Sequence, residues 1–317
     1  MSSTLAIARM PRAGLPRLAQ QALPLLYQHR LMATSQLHQL LTPHTRRPVY
    51  LLRQLGLLRT LQLVDATSHR NGRMGRGEQL WFITPRGAEV VERAGEVTAR
   101  AYRMSPEAAV SQLQDHTLAV VDTGVAFTRW ARVLGDECGP LDWEPELAHR
   151  VRDGAGDDAF LIPDAVLRYT RTTEDDRRRL LTYFVEVDRA TMHVSRLGKK
   201  LTAYARYASY VPQPPPGRPA GSGSGREAWR DRYPAFPRLL VVFAGVSPIE
   251  LQDRVSDLRA LAAADARLRR TTALTAGVTT LELLRAQGPL GPIVTPILGA
   301  PEPTDILLAP PGDRSTA

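Results

Sequence analysis

Residues 160–191 read FLIPDAVLRYTRTTEDDRRRLLTYFVEVDRAT. Two apolar runs are separated by a turn dense in Asp, Glu and Arg, the pattern of two strands joined by a polar reversal. Side chains alternate across a strand, so Phe184, Glu186 and Asp188 share one face while Tyr183, Val185 and Val187 share the other. A carboxylate inside an apolar central strand costs solvation energy, and Glu186 and Asp188 therefore need a cation or another partner. Asp164, in Pro163-Asp164 on the first run, is placed to supply a third oxygen. Such a cluster suits Mg2+, which prefers oxygen ligands and keeps waters for chemistry on phosphate. The next segment, HVSRLGKKLTAYARYASY (193–210), has helical spacing.

Working outward, a helix over 110–134 leads into LDWEPE, which carries Glu144, and then into an Asp/Gly-rich loop. Downstream, PQPPPGRPAGSGSGR (212–226) cannot bury a core and reads as a disordered loop spanning 212–228. RLLVVFAG (238–245) reads as another buried strand. Ser247-Pro248 then opens a helix with Pro at its first position, and ALTAG and GPIVTPIL complete an α/β alternation. The domain thus predicted covers 141–299, with a disordered Pro-rich tail over 300–317.

The N-terminal third has a different character. The chain has 317 residues and a formal net charge of +9, with 41 Lys+Arg against 32 Asp+Glu. Residues 1–105 contain 15 Arg and 5 acids, a net of +10, leaving 26 basic and 27 acidic residues, a net of −1, for the rest. The first acidic residue is Asp65. An excess of this kind favours a polyanion, of which nucleic acid is the commonest in the cytosol. A Ser/Arg-rich transit peptide would also lack acids, but the same stretch has the pattern of a folded domain.

After a flexible start over 1–17, helices are predicted over 18–31, over SQLHQLL behind Thr34-Ser35-Gln36, and over 45–55 with Gly56 as C-cap. In the third, Val49, Leu52 and Leu55 form the inward row, and Arg46, Arg47, Tyr50, Arg53 and Gln54 face outward. Two strand-like runs follow, bracketing TSHRNGRMGRG with Arg70, Arg73 and Arg76, and the second leads into Trp81-Phe82-Ile83-Thr84-Pro85-Arg86-Gly87. This layout resembles a winged helix-turn-helix domain over 18–105, joined by a connecting segment over 106–140. The resemblance implies groove contacts from Arg46, Arg47 and Tyr50 and phosphate contacts from Arg53 and the hairpin arginines. The alternative is a protein-binding winged helix whose polar face is merely solvated.

The middle segment resembles the PD-(D/E)xK restriction-endonuclease-like superfamily. Asp164 and Glu186 match its two metal-binding acids, and Glu144 matches an acid found upstream in many members. Asp188 stands where Lys is expected. In some members the lysine has moved to the following helix, where Lys199 and Lys200 are the only lysines of this chain. Lys, unlike Arg, can be driven toward neutrality and can orient or deprotonate water. The order of elements over about 18–300 also resembles the replication-relaxation family of actinobacterial plasmids and integrated elements. That family's strand ends Glu-x-Asp-Arg-Gly-Thr-Glu, whereas this chain has Glu186-Val-Asp188-Arg189-Ala190-Thr191-Met192.

Together these imply an α+β and α/β chain acting on DNA in plasmid replication, DNA relaxation or conjugative transfer. Asp164 and Glu186 would hold Mg2+, Asp188 would assist, and Lys200 or Lys199 would position water. The alternative is a transcription regulator or relaxase accessory factor with a degenerate nuclease-like domain, its acids paired with Arg189, Arg196 or Arg206. Candidate partners are double-stranded DNA, a relaxase or replication protein, and a second copy of the chain. Tyr204 and Tyr207 read as helix-packing residues rather than nucleophiles. No apolar run reaches the ~18–20 residues of a membrane span, no secretory signal is recognisable, and Cys138 is the lone cysteine, so a cytoplasmic protein without disulfide or Cys-based zinc is expected.

Overall fold

A computed structural model describes residues 14–68, 77–95, 97, 114–154, 156, 159–173, 175–190, 192–213 and 225–308. Contacts divide the chain into Met1–Arg129 and Trp130–Ala317. Each unit combines helices with a sheet, so the chain is mixed α and β.

In the first unit, α1 (Arg17–His29), β1 (Leu31–Ala33), α2 (Thr34–Leu41) and α3 (Val49–Thr60) precede β2 (Val64–Ser68), β3 (Gln79–Ile83) and α4 (Pro85–Arg93). The three strands form an antiparallel sheet in the order β1-β3-β2. Arg30, in the left-handed region at φ 68°, ends α1 and turns the chain into β1, a strand too short to announce itself in the sequence. Trp81 Nε1 donates to Thr34 Oγ1 (3.0 Å), and the Glu78 carboxylate accepts from Ser35 N (2.7 Å), so β3 secures the start of α2. Helix α5 (Gln114–Leu134) spans the division between the units.

The second unit is built on a six-stranded sheet in the order β11-β10-β9-β8-β7-β4. Its strands are β4 (Trp143–Pro145), β7 (Ala165–Thr172), β8 (Arg178–Asp188), β9 (Arg238–Phe243), β10 (Ala276–Thr280) and β11 (Thr295–Pro296). A small pair, β5 (His149–Arg150) and β6 (Phe160–Leu161), lies apart from it. β4, β7 and β8 form an antiparallel meander; β8, β9 and β10 run parallel. The crossover from β8 to β9 contains α6 (Val194–Ser209), and α7 (Pro248–Ala264), α8 (Ala266–Arg270) and α9 (Leu281–Gln287) follow later. Leu197, Leu201, Tyr204 and Tyr207 of α6 join Val166, Phe184, Val241 and Phe243 in one buried core. The alternation read from FVEVD is what directs Phe184 into it.

Several boundaries differ from the sequence reading. α3 starts at Val49, not at 45, because Pro48 disfavours helical geometry at the residue before it, and it runs through Gly56 to Thr60. Leu15 is buried although it lies in the stretch expected to be flexible. Of the loop predicted over 212–228, residues 214–224 lie outside the described residues. At its end, Ala228 opens a 3-10 turn whose Trp229 is buried, its Nε1 donating to Ala208 O (3.1 Å). Residues 304–308 of the expected tail are packed. Ile306 is buried and its carbonyl accepts from the buried Tyr183 hydroxyl (3.1 Å), while Arg238 Nε donates to Leu307 O (2.8 Å). Two apolar side chains and two otherwise costly buried polar groups outweigh the local Pro content. Residues 309–317 lie outside the described residues.

The Thr84–Gly87 turn shows local chemistry setting tertiary geometry. Thr84 caps α4, its hydroxyl accepting from Gly87 N (3.1 Å) and donating to Gln62 O (2.7 Å), and Pro85 occupies the first helical position. Gly87 packs under β2, where a Cβ would stand 2.0 Å from Leu63 O and 2.7 Å from Ile83 Cγ1. The first of these is a backbone atom that cannot swing away. Gly87→Ala is expected to destabilise the first unit by about 3 kcal/mol or more, measured by denaturant unfolding of the full chain.

Candidate functional site

On the first unit, Arg46 and Arg47 are exposed in the turn before α3, and Tyr50 and Arg53 are exposed on α3 itself. Thr45 ties that turn together, donating to Thr42 O and lying 2.9 Å from His38 Nε2. The helix is rotated relative to the sequence reading. Leu51, Gln54, Leu55 and Leu58 form its buried row, whereas Val49 and Leu52, expected inside, are 60% and 38% exposed. Residues 51, 54, 55 and 58 stand at i, i+3, i+4 and i+7, one continuous helical face, whereas 49 and 52 fall on the opposite side. Arg70, Arg73 and Arg76 lie outside the described residues.

In the second unit the register β7 to β8 pairs Ala165 with Val185, and one further step sets Asp164 opposite Glu186. Asp164 Oδ2 accepts from Val187 N (2.7 Å), which binds the start of β7 to the end of β8. Helix α6 lies over this end of the sheet and presents Lys200 and Tyr204, one turn apart, to the same carboxylate. Lys200 Nζ donates to Glu186 Oε2 at 2.5 Å and stands 3.9 Å from Asp164 Oδ1. Tyr204 donates to Glu186 Oε1 at 2.6 Å. Glu186 is almost wholly buried, but Asp164 and Lys200 retain 17% and 31% side-chain exposure, so the cluster opens to solvent on their side.

The other acids stand elsewhere. Asp188 Oδ1 accepts from Met192 N (3.3 Å) and its Oδ2 meets Arg254 of α7 at 3.4 Å. Glu144 Oε2 is 3.9 Å from Arg168. Lys199 points to solvent. Among the described residues no group of three or more His, Cys, Asp or Glu is disposed to hold a metal ion. The structure thus brings together Asp164, Glu186 and Lys200, and not Asp188, Glu144 or Lys199. Asp188 is met by Arg254 and Glu186 by Lys200, partners that were not among the Arg189, Arg196 and Arg206 considered from sequence. Tyr207 is in the core and Tyr210 donates to Asp153 (2.8 Å).

Arg254 was not legible in the sequence. It closes the loop after β8, donating to Met192 O (2.9 Å) and Ala190 O (2.7 Å) as well as meeting Asp188 and Glu250. Ala190 sits at φ 62°, the left-handed region where glycine is favoured. Its Cβ makes that conformation costly, and Ala190 bears the strain.

Electrostatically, the cluster is dominated by the cost of burying charge. Burial, and then the nearby Asp164, push the Glu186 carboxyl up to about 7 against the pull of Lys200 and Tyr204. Burial opposes the Lys200 charge, but Glu186 and Asp164 outweigh it and hold the ammonium above its ordinary value. Lys200 is therefore a fixed cation and not a neutral base. Burial and Glu186 also hold the Tyr204 hydroxyl well above the ordinary phenol range, so it acts as a donor. Between its ordinary value of 4.5 and about 7, Glu186 keeps a proton in the folded chain that the unfolded chain has lost, so its contribution to stability falls as pH rises across that window and then levels off. Thermal unfolding should accordingly show the melting temperature of the native chain falling relative to that of Glu186→Gln between about pH 5 and about pH 8.

Neither a curated protein nor a solved structure matches this chain. Residues 23–218, which is 196 of the 317 residues, match the replication-relaxation family. The match runs from α1 past the end of α6 and contains every member of the Asp164, Glu186, Lys200 and Tyr204 cluster. A match over more than half of its length places this chain in the replication-relaxation family.

Proposed function

We propose that this chain is a DNA-binding protein serving the replication, relaxation or transfer of a mobile element, with a winged helix-turn-helix first unit and a restriction-endonuclease-like second unit. The observation that carries the reading is Lys200 Nζ reaching Glu186 at 2.5 Å and Asp164 at 3.9 Å. An acid, a second acid and a lysine meet at one sheet end although the lysine comes from the next helix. The order α5, β4, β7, β8, α6, β9, with β8 and β9 parallel, supports the same fold. Family membership supports the biological setting. The exposed Arg46, Arg47, Tyr50 and Arg53, in a stretch without acids before Asp65, support duplex DNA as the partner of the first unit.

The donor set fits Mg2+: Asp164 and Glu186 offer carboxylate oxygens from adjacent positions, and Mg2+ commonly takes one or two protein carboxylates, filling its remaining positions with water and phosphate. Bound there, the ion supplies positive charge to a scissile phosphate. Lys200 adds a fixed ammonium beside it and orients water or a phosphate oxygen by hydrogen bonding. Tyr204 keeps the Glu186 carboxylate in one rotamer, and Val187 N does the same for Asp164. A second reading has its own support, since both Glu186 oxygens are already satisfied by Lys200 and Tyr204. In it the second unit is a binding module whose ion cluster is structural, and the chain acts as an accessory factor or regulator.

Incubation of the full chain with supercoiled and single-stranded DNA plus Mg2+ or Mn2+ separates the two. Cleavage that disappears in Asp164→Ala and Lys200→Ala supports the first; tight binding without nicking supports the second. On either reading, Arg46→Ala or Arg47→Ala should weaken duplex binding across sequences and reduce the slope of log affinity against log salt by about 1 each. Anisotropy titrations over a salt series check this, and an unchanged slope would remove α3 from the interface.

A further inference from the structure

The outer face of α3 combines two kinds of surface that ordinarily occur apart. Val49, Arg53, Gly56 and Thr60 recur along its crest, with Tyr50 beside Val49 on one flank and Leu52 on the other. Val49 is 60% and Tyr50 52% exposed, and Leu52 is also exposed. At Gly56 a Cβ would meet nothing within 4 Å, so the crest beyond Arg53 is open for close approach. Arg46 and Arg47 precede this apolar patch in the turn before α3, Arg53 follows Val49 by one turn along the crest, and among the described residues none of the three is paired with an acid.

An exposed apolar patch with unneutralised guanidiniums at both ends fits a partner that offers both anionic and apolar groups. A protein partner would leave the cations unmatched unless it were strongly acidic. The major groove of duplex DNA supplies both features at the right scale: phosphates along its edges, and on its floor the thymine methyl, the one apolar group among the base edges there. We infer that α3 recognises thymine-containing duplex sites, with Val49, flanked by Tyr50 and Leu52, packing on thymine 5-methyl groups while Arg46, Arg47 and Arg53 hold the phosphates. This rests on the reading that the first unit binds duplex DNA, and names the base that its apolar contacts select.

The full chain is equilibrated with a random-core duplex library, and the enriched duplexes are resynthesised with deoxyuridine in place of thymidine. That exchange removes the methyl and preserves every hydrogen-bonding group. The enriched cores are expected to contain thymine, and uridine substitution to weaken binding roughly fourfold for each methyl contacted, the weight of one buried methylene-sized group. Val49→Ala, at a position too exposed to disturb the core, should weaken binding to the thymidine duplex and leave the uridine duplex unchanged, so that the ratio of the two collapses toward one. Arg53→Ala should weaken both alike. A native ratio of one overturns the inference while leaving duplex binding intact. So does Val49→Ala weakening both duplexes equally, or disturbing self-association in sedimentation with the ratio unchanged. Absence of any duplex binding at low salt overturns the underlying reading as well.

Discussion

Glu186 places a negative charge in the middle of a central strand, between Val185 and Val187, and the second unit is organised around compensating it. A buried carboxylate without partners would be strongly destabilising. The compensation arrives from one element, α6, which supplies the Lys200 ammonium and the Tyr204 hydroxyl from successive turns. The same helix buries Leu197, Leu201 and Tyr207 against the sheet. Apolar packing thus fixes where the polar groups land, and the polar groups fix the rotation at which that packing is allowed.

The chain between β8 and α6 is held from a distance at residues 190 and 192. Arg254, on α7, gathers Asp188 and the carbonyls of residues 190 and 192 with one guanidinium. Its planar fork of donors suits this multiple task where a Lys would not. Asp188 is thereby a structural partner of α7, although it shares a strand face with Glu186. Two carboxylates two residues apart take different roles because different helices reach them.

Charge is also divided along the chain. Net +10 lies within residues 1–105 and net −1 in the remainder, so long-range attraction for a polyanion originates in the first unit. The second unit instead gathers two carboxylates and one fixed ammonium at one end of its sheet.

The sequence by itself determined the strand faces, because alternation is a local property: FVEVD places Phe184 and Glu186 on the side opposite Val185 and Val187 whatever packs there. It also determined the helix carrying Lys200 and the charge division. It misjudged α3, where 49, 52 and 55 read as the inward row although 51, 54, 55 and 58 is the row that packs, and it assigned 304–308 to a disordered tail because local Pro content says nothing about the polar groups waiting in the core. Only the tertiary structure decided that Lys200 and not Lys199 meets Glu186, and that Asp188 belongs to Arg254, 66 residues along the chain. Pairings of that range depend on how helices lie across a sheet, and no local pattern encodes them.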